Sequence, residues 1–339
     1  MKLRRREGVL KRLGSSKRGA AALLAALLQT GAPLLPGAGL AEPAYAAPPA
    51  PDCTIPAKVT QISPGAFVRQ GEVSLPSAAN GGATANIGFI IGAESVTVID
   101  TGGSLCDGLR LRKAIRQRTA LPIGHVINTH GHPDHVFGNA AFADDPATII
   151  GHRNLPAALG ERGEHYLQSY DRQIGTAAMK GTRLILPDTL VADRLTIDLG
   201  GRELVIVAYP AAHTNNDLTV FDRQSSALWT GDLVFLNHVP VLDGSISGWL
   251  AVTSELMQHE ATRIVPGHGP ITAEWPEAGE NQRRYLERLA ADIRRAIGAG
   301  DSIGEAADQA AKGERDKWRL FDSYNRRNAS AGYAELEWE

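Results

Sequence analysis

The chain has 339 residues, 43% of them apolar, and a net charge of −2. These values suit a globular protein with an ordinary core and leave no basic excess for holding nucleic acid. The two cysteines, Cys53 and Cys106, form no Cys-x-x-Cys spacing, which argues against thiolate metal ligands.

In chain order, the first 18 residues carry Lys2, Arg4, Arg5, Arg6, Lys11, Arg12, Lys17 and Arg18 against Glu7 alone. A short apolar run, 19–28, follows, and small residues lead to Ala44-Tyr45-Ala46. This basic, apolar, small-residue order predicts a secretory signal over 1–46, cleaved after Ala46, and a periplasmic or secreted protein. An uncleaved anchor is the alternative, although the apolar run is short for a membrane span. Arg5-Arg6 leaves the general secretory and twin-arginine routes both open. Residues 1–46 hold eight basic and two acidic side chains, so removing them takes the charge from −2 to −8. The expected mature chain, 47–339, is one domain with a helical C-terminal tail, has no nucleic-acid partner and is not inserted in a membrane. Export permits a Cys53–Cys106 disulfide, and two free thiols are the other possibility.

From Val59 onward, apolar runs alternate with Gly, Pro, Asn and Asp. Asn86–Gly92 and Ser95–Asp100 predict a hairpin of two buried strands, from their shortness and their Val and Ile content. Residues 104–118 predict a basic surface helix, with Leu105, Leu109, Arg112, Ile115 and Arg116 at helical spacing. Helices are also expected over 152–180 and 275–297. In the second of these, Glu280, Arg283, Arg284, Glu287 and Arg288 are charged, and Tyr285, Leu286, Leu289 and Ile293 form the apolar face. The tail from Asp301 to Glu339 is polar, with Trp318, Phe321, Tyr324, Tyr333 and Trp338 as spaced aromatics, and is expected to pack on the body as helices.

Residues 129–135, Thr-His-Gly-His-Pro-Asp-His, hold three imidazoles and a carboxylate directly after the apolar run His125-Val126-Ile127-Asn128. The chain has ten His in all, so three in one turn point to a shared cation rather than to a His-rich surface loop. Five apolar runs each lead to a metal-type residue: Val96–Ile99 to Asp100, Val126-Ile127 to His130, Leu204–Val207 to His213, Ala227–Gly231 to Asp232 and Ile264–Gly267 to His268. The expectation is that each run is a strand, and that these residues meet along one edge of a sheet core.

In His130-Gly131-His132-Pro133-Asp134-His135 the chain resembles the metallo-β-lactamase-fold hydrolases, whose signature is His-x-His-x-Asp-His. Asp100 in Val98-Ile99-Asp100-Thr101-Gly102, His213 in Ala212-His213-Thr214, Asp232 in Thr230-Gly231-Asp232 and His268 in Pro266-Gly267-His268-Gly269-Pro270 extend the resemblance over roughly 59–290. It implies an α/β fold, a four-layer αββα sandwich of two mixed β-sheets with outer helices. It further implies His130, His132 and His213 on one metal, Asp134, His135 and His268 on a second, and Asp232 between them. Asp134 and Asp100 join the catalytic set, Asp100 by orienting a ligating His rather than by binding metal.

The implied cofactor is zinc, two ions per chain, with iron or manganese compatible with the same donors. The implied activity is a metal-dependent hydrolysis in which a bridging hydroxide attacks an ester, thioester or lactam carbonyl of a small-molecule substrate. One major group of β-lactamases has Cys where this chain has Asp232, which sets lactams aside as the default. No Gly-x-Ser-x-Gly elbow offers a competing nucleophile. Residues 127–139, with Leu242-Asp243-Gly244-Ser245 and Ala334-Glu335-Leu336-Glu337, resemble the exported quinoprotein relay system zinc metallohydrolases, which implies a quinoprotein partner. His238 and the pair Arg326-Arg327 are candidate substrate contacts. The competing readings are a mononuclear iron persulfide dioxygenase of the same fold and a non-catalytic periplasmic protein that binds metal or a quinone cofactor.

Overall fold

The computed structural model describes residues 51–339; the expected leader over 1–46 lies outside them. Short turns and strand-rich sequence build the first sheet in chain order. β1 (Thr60–Ser63), β2 (Ala66–Arg69), β3 (Ile87–Ile91) and β4 (Val96–Ile99) pair antiparallel. Helical crossovers then turn the ladder parallel through β5 (Ile123–Ile127), β6 (Thr148–His152) and β7 (Thr189–Val191). The second sheet holds β8 (Arg194–Asp198), β9 (Glu203–Ala208), β10 (Leu218–Asp222), β11 (Ala227–Phe235), β12 (Arg263–His268) and β13 (Ala273–Glu274). Only β11 and β12 run parallel in it, and the intervening segment contains a helix, Ile246–Leu256.

Period-two alternation decides which layer each side chain fills. On β3, Ile90 points between the sheets to meet Ile206, Val220 and Trp229. Its neighbours Ile87 and Phe89 point outward, to Leu111 and Ile115 of α1 (Leu105–Arg116). A one-residue slip would exchange these faces, and each buried Ile or Phe contributes roughly 1.5–3 kcal/mol, so the register is strongly held. On the far face of the second sheet, Leu228 and Ile264 pack under Trp249 of the Ile246–Leu256 helix, Leu289 of Glu280–Ala299 and Phe321 of Phe321–Leu336. The result is the four-layer αββα sandwich with two mixed sheets.

Several elements differ from expectation. In the helix over 104–118, Ile115 is buried and Leu105 and Leu109 are partly buried, but Cys106, Asp107, Gly108, Leu111 and Ala114 complete the buried face, and Arg112 and Arg116 both pair with Asp145 instead. Strand β6 runs through His152, α2 is the single turn Pro133–Val136, and α3 spans Leu155–Ile174. Gly175, at φ +89°, separates α3 from a short α4, Thr176–Met179. Helix α5, Ile246–Leu256, was not anticipated. Ser245 caps it by accepting from the Gly248 N–H, and the Glu335 carboxylate accepts from the N–H groups of Ile246 and Ser247. Helix α6 is Glu280–Ala299, later than its expected start of 275, because Pro276 and a 3-10 turn, Glu277–Gly279, come first.

The tail forms α7 (Ile303–Gln309) and α8 (Phe321–Leu336). Trp318 and Phe321 are buried, whereas Trp338 is 84% exposed. Asn328 fastens α8 to the segment entering α5: its Nδ2 donates to Pro240 O at 2.6 Å, and its Oδ1 accepts from Leu242 N at 2.9 Å. Cys53 and Cys106 are joined as a disulfide, which ties the start of the described chain to α1.

Candidate metal centre

Three backbone devices build the site. Strand β4 ends at Ile99, and Asp100 follows it in the left-handed region, at φ +55°. Strand β5 ends at Ile127, and Thr129 N donates to Asp100 Oδ1 at 2.8 Å, fixing where the His-rich loop starts. Pro133 then opens the single turn α2, which carries Asp134 and His135, leaving His130 and His132 before it.

Asp232 corrects the expectation that each ligand-type residue follows its strand. It lies inside β11, which continues to Phe235. Gly231, at φ +49°, shifts the pairing with β12 and turns the Asp232 carboxylate toward the loop. A Cβ at position 231 would stand 2.5 Å from Thr129 Oγ1, and one at Gly267 would overlap Asp232 Oδ1, so both positions require glycine. His268 is the last residue of β12, whereas His213 stands in the loop after β9, five residues past Ala208.

The donors form two groups, His130, His132, His213 and Asp232, and Asp134, His135 and His268, with the ligand atoms of each within 4.8 Å of one another. His132 Nδ1 is 3.0 Å from both His130 Nε2 and His213 Nε2. The outer nitrogens of these rings assign their tautomers. His132 Nε2 faces Asp243 Oδ2 at 3.1 Å, and His213 Nδ1 faces Val241 O at 2.6 Å. His130 Nδ1 faces Thr129 Oγ1 at 3.2 Å, and that hydroxyl already donates to Asp100 Oδ2 at 2.8 Å. Each outer nitrogen must therefore carry the proton, so three inner lone pairs converge. Asp232 Oδ2 completes them, 3.4 Å from His213 Nε2 and 3.7 Å from His130 Nε2. Four acceptors around one point fit a cation.

The second group follows the same logic. His135 Nδ1 faces Asp100 Oδ2 at 2.8 Å, so its Nε2 is the inner atom. That Nε2 is buried without a hydrogen-bond partner, 3.2 Å from the equally unpartnered Asp232 Oδ1. Asp134 Oδ2 accepts from Thr84 Oγ1 at 2.7 Å, and His268 Nε2 lies 3.5 Å from it and 3.3 Å from Asp232 Oδ2. Asp232 thus presents one oxygen or the other to both groups.

Charge supports this reading. Burial pushes His130 well below its ordinary value and His213 down to about 3, keeping both rings neutral as ligands. Burial would lower His135 and His268 too, but Asp232 and the neighbouring carboxylates outweigh it and raise both. Burial alone would likewise raise Asp232, and the surrounding imidazoles instead hold it well below the carboxylate range. The carboxylates call for positive charge, as extra protons or as metal ions in their place.

Asp100 is brought to the site but not to either donor group; it touches His135 and Thr129. His238 lines the cleft, its ring 5.1 Å from that of His268, and burial lowers it to about 4. The pair Arg326-Arg327 divides: Arg326 reaches outward to Asp308, whereas Arg327 borders the cleft and pairs with Asp243. Sequence reasoning assigned no role to Thr84, Thr129, Asp243, Arg162 or Tyr170. Asp243 stood in a segment quoted for its resemblance alone, and the others carried no usable signal.

Residues 80–268 match the metallo-beta-lactamase superfamily, and since that is more than half of the chain, the chain belongs to this superfamily. Its two donor groups are of the kind that forms a binuclear metal site there. Over 181 residues the chain is 24% identical to the beta-lactamase-like protein 2 homolog of Caenorhabditis elegans, covering 53% of this chain and 54% of that protein. Over 187 residues it is 29% identical to the acyl-coenzyme A thioesterase MBLAC2 of Gallus gallus, covering 50% and 62%. The chain thus spans little more than half the length of these relatives. Among solved structures, it is similar in fold to the stereoselective inverting sec-alkylsulfatase Pisa1 from Pseudomonas sp., with a TM-score of 0.66 and 16% identity over 82% of this chain and 50% of that one.

Proposed function

We propose that this protein is an exported, zinc-dependent hydrolase of a small molecule, cleaving an ester, thioester or lactam, and working beside a periplasmic quinoprotein system. The observation that carries the hydrolase reading is the convergence of three imidazole lone pairs and Asp232 next to a second group sharing that carboxylate. Two zinc ions bound there would supply hydroxide near neutral pH and polarise the carbonyl under attack. His130, His132 and His213 would hold one ion, Asp134, His135 and His268 the other, and Asp232 both. Asp100 and Asp243 hold the protons on the outer nitrogens of His135 and His132, keeping the inner nitrogens as donors.

A complete second group favours two ions over the single iron of a persulfide dioxygenase. The thioesterase activity named for the Gallus gallus relative supports including thioesters. Export rests on the order of residues 1–46, and the quinoprotein link on the resemblance of residues 127–139, 242–245 and 334–337. Metal analysis of the mature protein, with a panel of esters, thioesters and lactams, tests the reading. About two zinc per chain and turnover of one class are expected. One iron per chain, or no turnover of any class by zinc-loaded protein, would overturn it.

A further inference from the structure

The cleft above the metal groups is about 930 Å³, the size of a small-molecule site. Two walls are helical. Helix α3 contributes Arg162, Tyr166 and Tyr170, and α8 contributes Tyr324 and Arg327. Helix α8 lies beyond residues 80–268, the segment that matches the superfamily.

The two guanidinium groups meet at one carboxylate. Arg162 Nη1 donates to Asp243 Oδ2, and Arg327 Nη2 donates to Asp243 Oδ1 at 3.1 Å. Asp243 Oδ2 also faces His132 Nε2 at 3.1 Å. One negative charge therefore stands against two positive ones, and Asp243 is only 12% exposed while Arg162 and Arg327 keep 51% and 55% of their side chains open. Each arginine has five N–H groups in a fixed fork; Arg327 gives one to Asp243, Arg162 gives one to Asp243 and bonds Tyr166 as well, and both half-exposed guanidinium groups keep further donors and charge at the cleft border. Glu161 also borders it, but is exposed and makes no ion pair among the described residues. Below the arginines, the rings of Tyr166, Tyr170, Phe235, His238 and Tyr324 supply an aromatic lining, and the Tyr324 hydroxyl has no hydrogen-bond partner among the described residues.

We infer that Arg162 and Arg327 form an anion subsite, and that the substrate is a ring-bearing organic acid whose carboxylate or sulfonate lies within a few bonds of the cleaved carbonyl. The short spacing follows from Asp243, which contacts both arginines and the donor His132 directly, placing the subsite one side chain from the metal groups. The aromatic lining takes the ring by stacking. As a choice of substrate class, this rests on the hydrolase reading above; the anion subsite itself does not.

The test is calorimetric binding to mature, metal-loaded protein, with naphthalene-1-sulfonate as anionic probe and 1-naphthalenemethanol as its neutral counterpart. A sulfonate is a weak metal ligand, so its affinity reports the arginines. In the parent protein the sulfonate should bind at least about tenfold more tightly than the alcohol, the range of one charge-assisted hydrogen bond, and lose affinity as salt is raised. Arg162→Gln with Arg327→Gln should remove that preference while alcohol affinity changes less than about twofold, and Arg327→Lys should keep part of it. Equal binding of the two probes by the parent, or sulfonate affinity within about twofold in the double variant, would overturn the subsite. The parent comparison stands even if the double variant does not fold. Probe discrimination by a protein that hydrolyses no ester, thioester or lactam would keep the subsite and remove the hydrolase reading; turnover without discrimination would do the reverse.

Discussion

At the floor of the cleft, His130, His135 and His213 are at most 1% exposed, and each ring is held by a hydrogen bond on its outer nitrogen. At its walls, Arg162 and Arg327 keep about half of their side chains in water and share one carboxylate. The floor is over-determined: position, tautomer and charge of each donor are set by different neighbours. The walls are held by partly exposed ion pairs, worth at most about 1 kcal/mol each. Floor substitutions should therefore remove the chemistry outright, and wall substitutions should change what binds.

The largest effect is expected at the floor. His130→Ala or His132→Ala takes one of three converging lone pairs from the first donor group. We expect hydrolysis to fall by about a hundred- to a thousandfold, the scale of losing a charge-stabilising group, with the circular dichroism spectrum unchanged because both residues lie in the loop between β5 and α2 and neither belongs to an apolar cluster of the core. Full activity in either variant would show that the metal donors are misassigned.

Asp232→Ala is next. One carboxylate serves both groups, so its loss should drop metal content from about two ions to about one per chain, the three-His group keeping its ion. Elemental analysis after dialysis decides it. Two equivalents retained at unchanged affinity would mean that Asp232 is not shared between the two groups.

Why the floor was readable and the walls, His238 and Arg327 apart, were not follows from the same contrast. Metal donors must be His or Asp at short, fixed spacing, so 130–135 declared themselves before any fold was known. The place of Asp232 within β11 was not readable, because it depends on a bulge at Gly231 that clears Thr129. Asp243 and Thr84 are single polar residues in loops, and only tertiary contact with His132 and Asp134 gives them meaning. The layered fold was legible from the strand and helix periods. The burial face of α1 was not, since Leu109 and Leu111 compete for it and only packing against β3 and β5 chooses.

Asp243 joins the two regions and sharpens the comparison. Asp243→Asn keeps the shape and removes the charge that orients the Nε2 proton of His132. A supporting hydrogen bond of this kind typically costs 10–100-fold in metal affinity or activity. We expect a loss near about tenfold in kcat/KM, with metal affinity weakened in the His130, His132 and His213 group alone. Equal weakening of both ions would place Asp243 in a general structural role instead.

The smallest effect on activity is expected from Cys53→Ser, which tests whether the floor is self-sufficient. The disulfide closes a loop of 53 residues onto α1. In the chain-entropy model a loop of that length adds about 4 kcal/mol by restricting the unfolded chain. The bond touches no donor: α1 packs on the outer face of the first sheet through Leu111 and Ile115, away from the inter-sheet layer. The shortest chain path from Cys106 to the site runs back through Ser104 to Asp100, and Asp100 is held independently by Thr129 N and Oγ1. Cys53→Ser should therefore lower the unfolding midpoint by several degrees or more while leaving kcat/KM at 25 °C within about twofold. Thermal unfolding with activity measured on the same sample checks both halves. A loss of activity at temperatures where the variant remains folded would mean that α1 helps to hold Asp100, and that the floor extends to the disulfide.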